Sequence, residues 1–233
     1  MIIDLVKLLN RQTEQDFEII IVDNGGNDDV LEELLDFKIC YVRCPINLIL
    51  SEGRNIGASF SKSDILVFLD DDALVPENYV SEIKHAFKYF NITGLRGKVL
   101  PKTASINNKF ANHYDLGKYS LPASVDTEGN SAFRKNEFLK VGGMDPLLFG
   151  GEGTDLSFRL SKLTGENSII YYPKVIIYHD YADNSKKLKT KEDRHTLMKK
   201  YMTFKFPDIY EYHHRQKKYC LTDLTKAIGN SAI

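Results

Sequence analysis

Three consecutive carboxylates, Asp70, Asp71 and Asp72, follow directly on an apolar run from Ile65 to Leu69. A short apolar run of this kind indicates a strand that is buried on both faces. Ligands in open α/β sheets bind just beyond the carboxyl ends of such strands. Neighbouring carboxylates repel one another unless a cation neutralises them, and their hard oxygens favour magnesium, manganese or calcium. The run therefore predicts a metal site that holds a phosphate-bearing substrate.

An ordinary surface turn is the alternative interpretation of this acidic run. Acidic side chains are favoured near the N-terminus of a helix. Pro76 fits the first turn of a helix whose apolar face carries Tyr79, Ile83 and Phe87. Taken alone, the acidic run fits a solvated turn about as well as a metal site. The neighbouring motifs are needed to distinguish the two interpretations.

The elements that would position these carboxylates follow from the apolar periodicities. Predicted helices cover 1–12, 30–37, 54–60, a segment from 76 onwards, 136–141 and 154–163. Predicted strands cover 18–23, 38–43, 65–69, 94–100, 168–172 and 175–178. Strands alternate with helices as far as residue 89, which favours an α/β fold with a mixed, mainly parallel sheet flanked by helices. The long connection 101–128 is typical of a functional or mobile loop.

Composition limits the classes of protein that this chain can represent. The 233 residues carry a formal net charge of -1 and are 42% hydrophobic, which allows a sizeable core and gives no general case for nucleic acid binding. Three cysteines, Cys40, Cys44 and Cys220, are too few for a disulfide framework and favour a reducing cytoplasm. Cys40 and Cys44 could be metal ligands, but buried thiols are the simpler interpretation. No segment is long and apolar enough to span a bilayer.

The chain divides by composition into residues 1–182, predicted to be the catalytic domain, and a basic C-terminal extension, 183–233. Met198, Tyr201, Met202 and Phe206 recur in the extension at roughly helical spacing, which predicts a docked helix. Basic residues surround them, among them Lys189, Arg194, Lys199 and Lys200. Such a face is usually solvated, and the alternative is peripheral contact with an anionic membrane.

Motifs on both sides of the acidic run resemble the GT-A glycosyltransferases, especially the large inverting family 2. That family has a strand ending in Val-Asp-Asn/Asp-Gly-Ser, then Asn-x-Gly, Ala-Arg-Asn-x-Gly and a strand ending in Asp-x-Asp. The corresponding residues here are Val22–Gly26, Asn47, Gly53–Gly57 and Asp70–Asp72. Later segments that resemble the acceptor side of the family are Gly129–Arg134, Val141–Asp145 and Gly150–Arg159, and His179 matches a histidine that often helps to bind the metal.

The resemblance implies a role for each of these positions. Donor-nucleotide contacts are expected from Asp23, Asn24, Arg54, Asn55, Asp70 and Asp71. Asp72 and His179 are expected to bind a divalent cation, Mn²⁺ or Mg²⁺, that bridges to the donor diphosphate. Acceptor contacts are expected from Asn130 and His113, and the catalytic base from Glu152 or Asp155. The implied donor is a nucleoside-diphosphate sugar, foremost a UDP-sugar, and the implied acceptor is a hydroxyl group of a glycan or a lipid-linked glycan.

Two departures from the family pattern bear on activity. The usual base is the Asp directly after Glu152, and this chain has Gly153 there, so Glu152 or Asp155 must serve, with Glu152 slightly favoured. The family also opens with a strand ending in Pro-Thr-Tyr-Asn that contributes to the base pocket. This chain starts at the helix that follows, which suggests either a shortened sequence or a natural variant with an incomplete nucleotide site.

The sequence therefore leaves three candidate functions. The first is metal-dependent, inverting sugar transfer in polysaccharide or glycoconjugate synthesis. The second is a catalytically impaired protein that keeps the fold and binds a sugar nucleotide or a partner, as Gly153 would allow. The third is a haloacid-dehalogenase-type phosphatase with Asp70 as nucleophile. Leu74 stands where those enzymes have Thr or Val, and the motif lies far from the N-terminus, so the third function is disfavoured.

Overall fold

A computed structural model describes residues 1–26, 30–103, 111–180 and 185–217 of the chain. The helices are α1 (Ile2–Leu9), α2 (Leu31–Leu34), α3 (Ile49–Phe60), α4 (Tyr79–Tyr89), α5 (Ala111–Tyr114), α6 (Lys135–Lys140), α7 (Glu152–Thr164), α8 (Ser185–Lys205) and α9 (Ile209–Lys217). The strands are β1 (Ile20–Asn24), β2 (Cys40–Cys44), β3 (Ile65–Leu69), β4 (Gly94–Leu100), β5 (Leu121–Pro122), β6 (Asn130–Arg134) and β7 (Ile169–Tyr178). Cys220 and the rest of the predicted tail beyond 217 lie outside the described residues.

The strands form two sheets. A parallel pair, β1 and β2, stands apart from a five-stranded sheet in the order β3-β6-β4-β7-β5. In the larger sheet only β4 and β7 run parallel, while β6 runs antiparallel to both β3 and β4. The predicted α/β fold with a mixed sheet is confirmed. The parallel share is smaller than expected because β6, which the sequence pattern does not reveal, enters the middle of the sheet.

Apolar side chains cover both faces of the larger sheet. One cluster joins the sheet to α1 and α4, and its fully buried members include Ala73, Tyr79, Ala86, Leu95 and Val175. The other joins the sheet to α6 and α7, and its members include Phe68, Phe133, Phe138, Leu156 and Leu160. Helices on both faces therefore fix β3 from two sides. The end of β3 is consequently a rigid place for functional side chains.

Helix α3 begins five residues before its predicted start at residue 54. The sequence pattern predicts a loop at 45–52, but Asn24 holds the second half of that segment in place. The Asn24 amide accepts a hydrogen bond from Leu48 N–H at 2.9 Å and donates one to the Ile49 carbonyl at 2.8 Å. Strand β1 thereby fixes the first turn of α3, and that turn leads directly to Arg54.

The C-terminal helices pack onto α7. Phe158 of α7 and Leu148 meet Met198 and Met202 of α8 and Ile209 of α9 in a third apolar cluster. The predicted docking of the helical tail onto residues 1–182 is therefore visible for residues 198–212. None of the helices in the described ranges combines the length and the apolar composition needed to cross a membrane.

Candidate active site

A short backbone bridge brings Asp72 and His179 together. Leu74 pairs with Tyr178 through two hydrogen bonds of 2.9 and 2.8 Å, which aligns the segment after β3 with the end of β7. As a result, Nε2 of His179 lies 3.0 Å from Oδ1 of Asp72. Both side chains are about 30% exposed, at 27% and 31%, so a ligand can reach them. These are the two residues that the sequence predicts as metal ligands.

The donor atoms of this pair suit a divalent cation. The 3.0 Å separation is that of an ion pair, and the nitrogen of His179 and the oxygen of Asp72 are both atoms that would bind a divalent cation. Imidazole nitrogen with carboxylate oxygen suits Mn²⁺ somewhat better than Mg²⁺. Within the described ranges no group of three or more His, Cys, Asp or Glu side chains forms a metal cage. Two protein ligands fit an ion that substrate phosphates complete.

Asp70 is held between a cation and a glycine. Nη2 of Arg54 donates to Oδ1 of Asp70 at 2.9 Å, and the Arg54 side chain is only 12% exposed. A Cβ on Gly129 would collide with Oδ2 of Asp70, so only glycine allows the carboxylate to lie here. Asp71, in contrast, is exposed. Of the three acids, Asp70 therefore joins α3 to the β6 side of the site, and Asp71 faces solvent.

Asp23 already has partners on both carboxylate oxygens. Gly26 N–H donates to Oδ1 at 2.8 Å, while the Tyr41 hydroxyl donates to Oδ2 at 2.8 Å and Arg43 Nε lies 3.2 Å from the same oxygen. A carboxylate can accept about four hydrogen bonds. Three partners leave one acceptor position on Asp23, whose side chain is 11% exposed beside Tyr41 and Arg43.

Two of the predicted contact residues, Asn55 and Asn130, use their side-chain amides for hydrogen bonds within the protein. Asn55 exchanges two hydrogen bonds of 2.8 Å with the Met144 backbone. Asn130 is completely buried, where it accepts from the Tyr79 hydroxyl at 2.9 Å and donates to the Lys98 carbonyl at 2.9 Å. Both side chains therefore stabilise the backbone around the site, and the amide groups of both are already hydrogen-bonded within the protein.

His113, the other predicted acceptor contact, lies half-exposed in the short helix α5 before β5. Its side chain is 41% exposed, and Nδ1 lies 3.4 Å from Oδ2 of Asp126. Its carbonyl oxygen accepts a hydrogen bond from the buried Arg96. The ring is therefore accessible while its backbone is anchored.

Glu152 opens helix α7 and is 7% exposed. Burial, together with the negative charge of Glu128, raises the pKa of Glu152 from 4.5 to about 7, against the opposing attraction of Arg54 and Arg194. Arg54 therefore acts on Asp70 and on Glu152 together. A carboxyl group that titrates near neutral pH is suited to accept a proton during catalysis.

Asp155 lies one turn further along α7 and is fully buried. Arg159 holds Oδ2 through two hydrogen bonds of 2.8 and 2.5 Å, and Lys205 of α8 donates to Oδ1 at 3.1 Å. Lys205 also reaches Asp145 at 2.7 Å. Both Asp155 oxygens are thus committed to cations inside the protein. Of the two predicted bases, only Glu152 lacks a neutralising hydrogen-bonded cation in the described structure.

Replacing Lys205 with Met is expected to lower the free energy of unfolding by about 2 kcal/mol, because the buried Asp155 loses a charged hydrogen-bond partner while Arg159 remains. Urea denaturation of the variant and of wild type measures the difference. Lys200, exposed on the same helix, supplies the control, and Lys200→Met should change the free energy by less than about 0.5 kcal/mol. Equal effects of the two substitutions would contradict the assignment.

Sequence reasoning missed two residues of this neighbourhood, Glu128 and Lys205. Glu128 accepts a hydrogen bond from Gly153 N–H at 2.8 Å, and Lys205 reaches across from α8 to Asp155. Neither carries a local signal, because one ends an irregular connection and the other is one of many lysines in a basic helix. Only the tertiary structure brings them to α7.

Comparison with known proteins identifies what this arrangement is similar to. A family model described as "Glycosyl transferase family 2" matches residues 1–136. An uncharacterized glycosyltransferase of Haemophilus influenzae is 29% identical over 166 residues, which cover 67% of this chain and 56% of the relative. The uncharacterized glycosyltransferase YfnE of Bacillus subtilis is 32% identical over 82 residues, 34% of this chain and 21% of the relative. The chain thus spans about half of the first relative and a fifth of the second.

Two solved structures share the arrangement of helices and strands. Residues 1–349 of Staphylococcus aureus TarS, in complex with UDP-GlcNAc, superpose with a TM-score of 0.60 at 13% identity, covering 79% of this chain and 56% of that one. GalNAc-T7, solved with UDP, GalNAc and Mn²⁺, gives a TM-score of 0.59 at 19% identity, covering 76% of this chain and 40% of that one. At identities this low, the structural similarity establishes a common fold and nothing more.

Proposed function

Because the chain belongs to glycosyl transferase family 2 and has the GT-A fold, we propose that it moves a sugar from a UDP-sugar donor to a hydroxyl acceptor. The transfer is metal-dependent and inverts the anomeric carbon. The acceptor is a glycan or a lipid-linked glycan, in polysaccharide or glycoconjugate synthesis. The support from relatives is that TarS was solved with UDP-GlcNAc, and GalNAc-T7 with UDP and Mn²⁺.

The donor end of the proposed site begins at the carboxyl end of β3. Asp72 and His179 would hold the divalent cation, which would neutralise the charge that develops on the leaving diphosphate. Asp23 accepts a hydrogen bond from the nucleotide base, and Asp70 lies toward the ribose. Arg54, already paired with Asp70, adds positive charge on the side of the site where the diphosphate departs.

The acceptor end is the first turn of α7. The acceptor hydroxyl oxygen attacks the anomeric carbon from the face opposite the diphosphate, and its proton passes to the Glu152 carboxylate. The bond between the anomeric carbon and the diphosphate oxygen breaks as the new bond forms, and the electron pair leaves with the diphosphate. The sugar is therefore transferred with inverted configuration.

A single observation carries this proposal: Arg54 joins the two ends of the site. It pairs with Asp70 at 2.9 Å and attracts the buried Glu152 carboxylate. The acids after β3 and the first turn of α7 are thus both influenced by the charge of one guanidinium group, which supports a single site for donor and acceptor.

Metal dependence supplies the test. With a panel of UDP-sugars and Mn²⁺, we expect UDP release that EDTA abolishes and added Mn²⁺ restores. Asp72→Asn should lower the rate by about 100-fold or more at fixed Mn²⁺, because it removes the charged ligand. Asp64→Asn, an exposed carboxylate at the opposite end of β3, is the matched control and should leave the rate unchanged.

A catalytically impaired, nucleotide-binding protein is the second candidate, and Gly153 at the position of the usual family base is the observation that favours it. That candidate predicts UDP binding by calorimetry with no UDP release from any donor, which would overturn the enzymatic proposal. Phosphate release from simple phosphate esters, together with a trapped Asp70 adduct, would favour the phosphatase instead.

A cytoplasmic location and peripheral contact of the basic α8 with a membrane also belong to the proposal.

A further inference from the structure

The first turn of α7 has no room for a side chain at position 153. A Cβ on Gly153 would lie 2.5 Å from the carbonyl oxygen of Val125 and 2.9 Å from Oε1 of Glu128. The same oxygen of Glu128 accepts the hydrogen bond from Gly153 N–H at 2.8 Å. A carboxylate from another segment of the chain therefore occupies the space beside Gly153, next to Glu152.

Several contacts hold Glu128 in this place. Its carbonyl oxygen accepts a hydrogen bond from the Ser131 hydroxyl at 2.8 Å, and the following residue, Gly129, lies against Asp70. The guanidinium group of Arg96 on β4 is 2% exposed and pairs with Asp126, and its positive charge also attracts the Glu128 carboxylate. The hydrogen bond from the Gly153 N–H group therefore keeps this carboxylate beside α7, and the charge of Arg96 favours its ionised form.

Glu152 faces charges from three directions. Glu128 approaches from the loop before β6, Arg54 from α3 and Arg194 from α8. Glu128 is the negative charge among them, and it opposes ionisation of Glu152, whereas the two arginines favour it.

We propose that Glu128 is a positioning residue for the proton acceptor: its carboxylate, hydrogen-bonded to the Gly153 N–H at the start of α7, places a negative charge beside Glu152 and so favours transfer of a proton to Glu152. This inference rests on the proposed function and assigns the second carboxylate of that site. Position 153 carries no acid. Glu128, 25 positions earlier in the chain, supplies a negative charge next to that position.

Glu128→Gln is the test, because glutamine keeps the shape and can still accept the bond from Gly153 N–H. The acid limb of the pH profile of kcat/KM for UDP release, set by ionisation of Glu152, should move to lower pH by about one unit. Glu128→Asp keeps the charge and should move the limb less. Glu137→Gln, which removes a carboxylate on α6, should leave the profile in place.

Carboxyl NMR of ¹³C-labelled protein provides a readout that does not depend on turnover. The midpoint of the Glu152 titration should move in the same direction in Glu128→Gln. An unmoved midpoint in a folded variant overturns the inference, whether or not the protein is an enzyme. Absence of UDP release from wild type, combined with a moved midpoint, overturns the proposed function and retains the inference. Uniform loss of activity at every pH with an unmoved midpoint would assign Glu128 a purely structural role.

Discussion

Glu152→Gln is expected to lower kcat for sugar transfer by about 10²–10⁴-fold, the contribution of a well-placed general base. Glutamine fills the same volume at the start of α7 but cannot take the proton of the attacking hydroxyl. The KM for the donor should change little, because Glu152 lies at the acceptor end and the Asp72 and His179 pair is untouched. Steady-state kinetics with Mn²⁺ separates the two parameters. A rise in KM with unchanged kcat would contradict the assignment of Glu152 as the base.

The same substitution should stabilise the protein at alkaline pH. The pKa of Glu152 is raised from 4.5 to about 7, so the unfolded chain ionises first as the pH rises. The wild type therefore loses stability from about pH 4.5 upwards, and the loss is complete above about pH 7. Glu152→Gln removes this loss, and its free energy of unfolding at pH 8 should exceed that of wild type by about 1 to 3 kcal/mol. If Glu152 had only a structural role, Glu152→Gln would instead lower the free energy of unfolding at pH 8.

Asp155→Asn is the control for this pair of measurements. Asp155 is fully buried and bonded to Arg159 and Lys205, so loss of its charge leaves two cations undercompensated. We expect lower stability at neutral pH by about 3 kcal/mol. The two acids of the same helix should therefore respond in opposite directions.

The sequence predicts where residues at strand ends lie in the fold. An apolar run followed by acids locates Asp70 to Asp72 at the end of β3, and a histidine after a strand locates His179 at the end of β7. Strand ends that share one edge of a sheet bring such residues together. The 3.0 Å separation of Asp72 and His179 is consistent with the prediction that they act as a pair.

Other parts could not be predicted, because tertiary contacts decide them. Strand β6 carries the polar Asn130 and Ser131, whose side chains are buried only because the Tyr79 hydroxyl and the Glu128 carbonyl satisfy them. The start of α3 depends on Asn24, which is distant in sequence. The pairing of Asp155 with Lys205 spans 50 residues, beyond the reach of any local pattern.

Gly153→Asp, which restores the acid of the usual family pattern, is expected to destabilise the protein and not to raise its activity. The new Cβ would approach the Val125 carbonyl oxygen to 2.5 Å, and this backbone atom belongs to a residue that is 0% exposed. Overpacking of this kind costs about 1–3 kcal/mol, and a further carboxylate beside Glu128 and Glu152 adds repulsion. The free energy of unfolding should fall by about 3 kcal/mol or more.

Two alanine variants isolate the steric part of this effect. Gly153→Ala meets the same carbonyl oxygen without adding charge, and its loss should be about 2 kcal/mol even though alanine favours helix. Gly150→Ala is the matched control, since its Cβ would have no neighbour closer than 3.8 Å. Urea denaturation and UDP release measure all three variants. If Gly153→Asp were as stable as wild type and faster in sugar transfer, position 153 would be a vacant base position. The expected loss instead means that Gly153 is required by the close approach of Val125 and Glu128, as the proposal that Glu128 supplies the negative charge beside Glu152 requires.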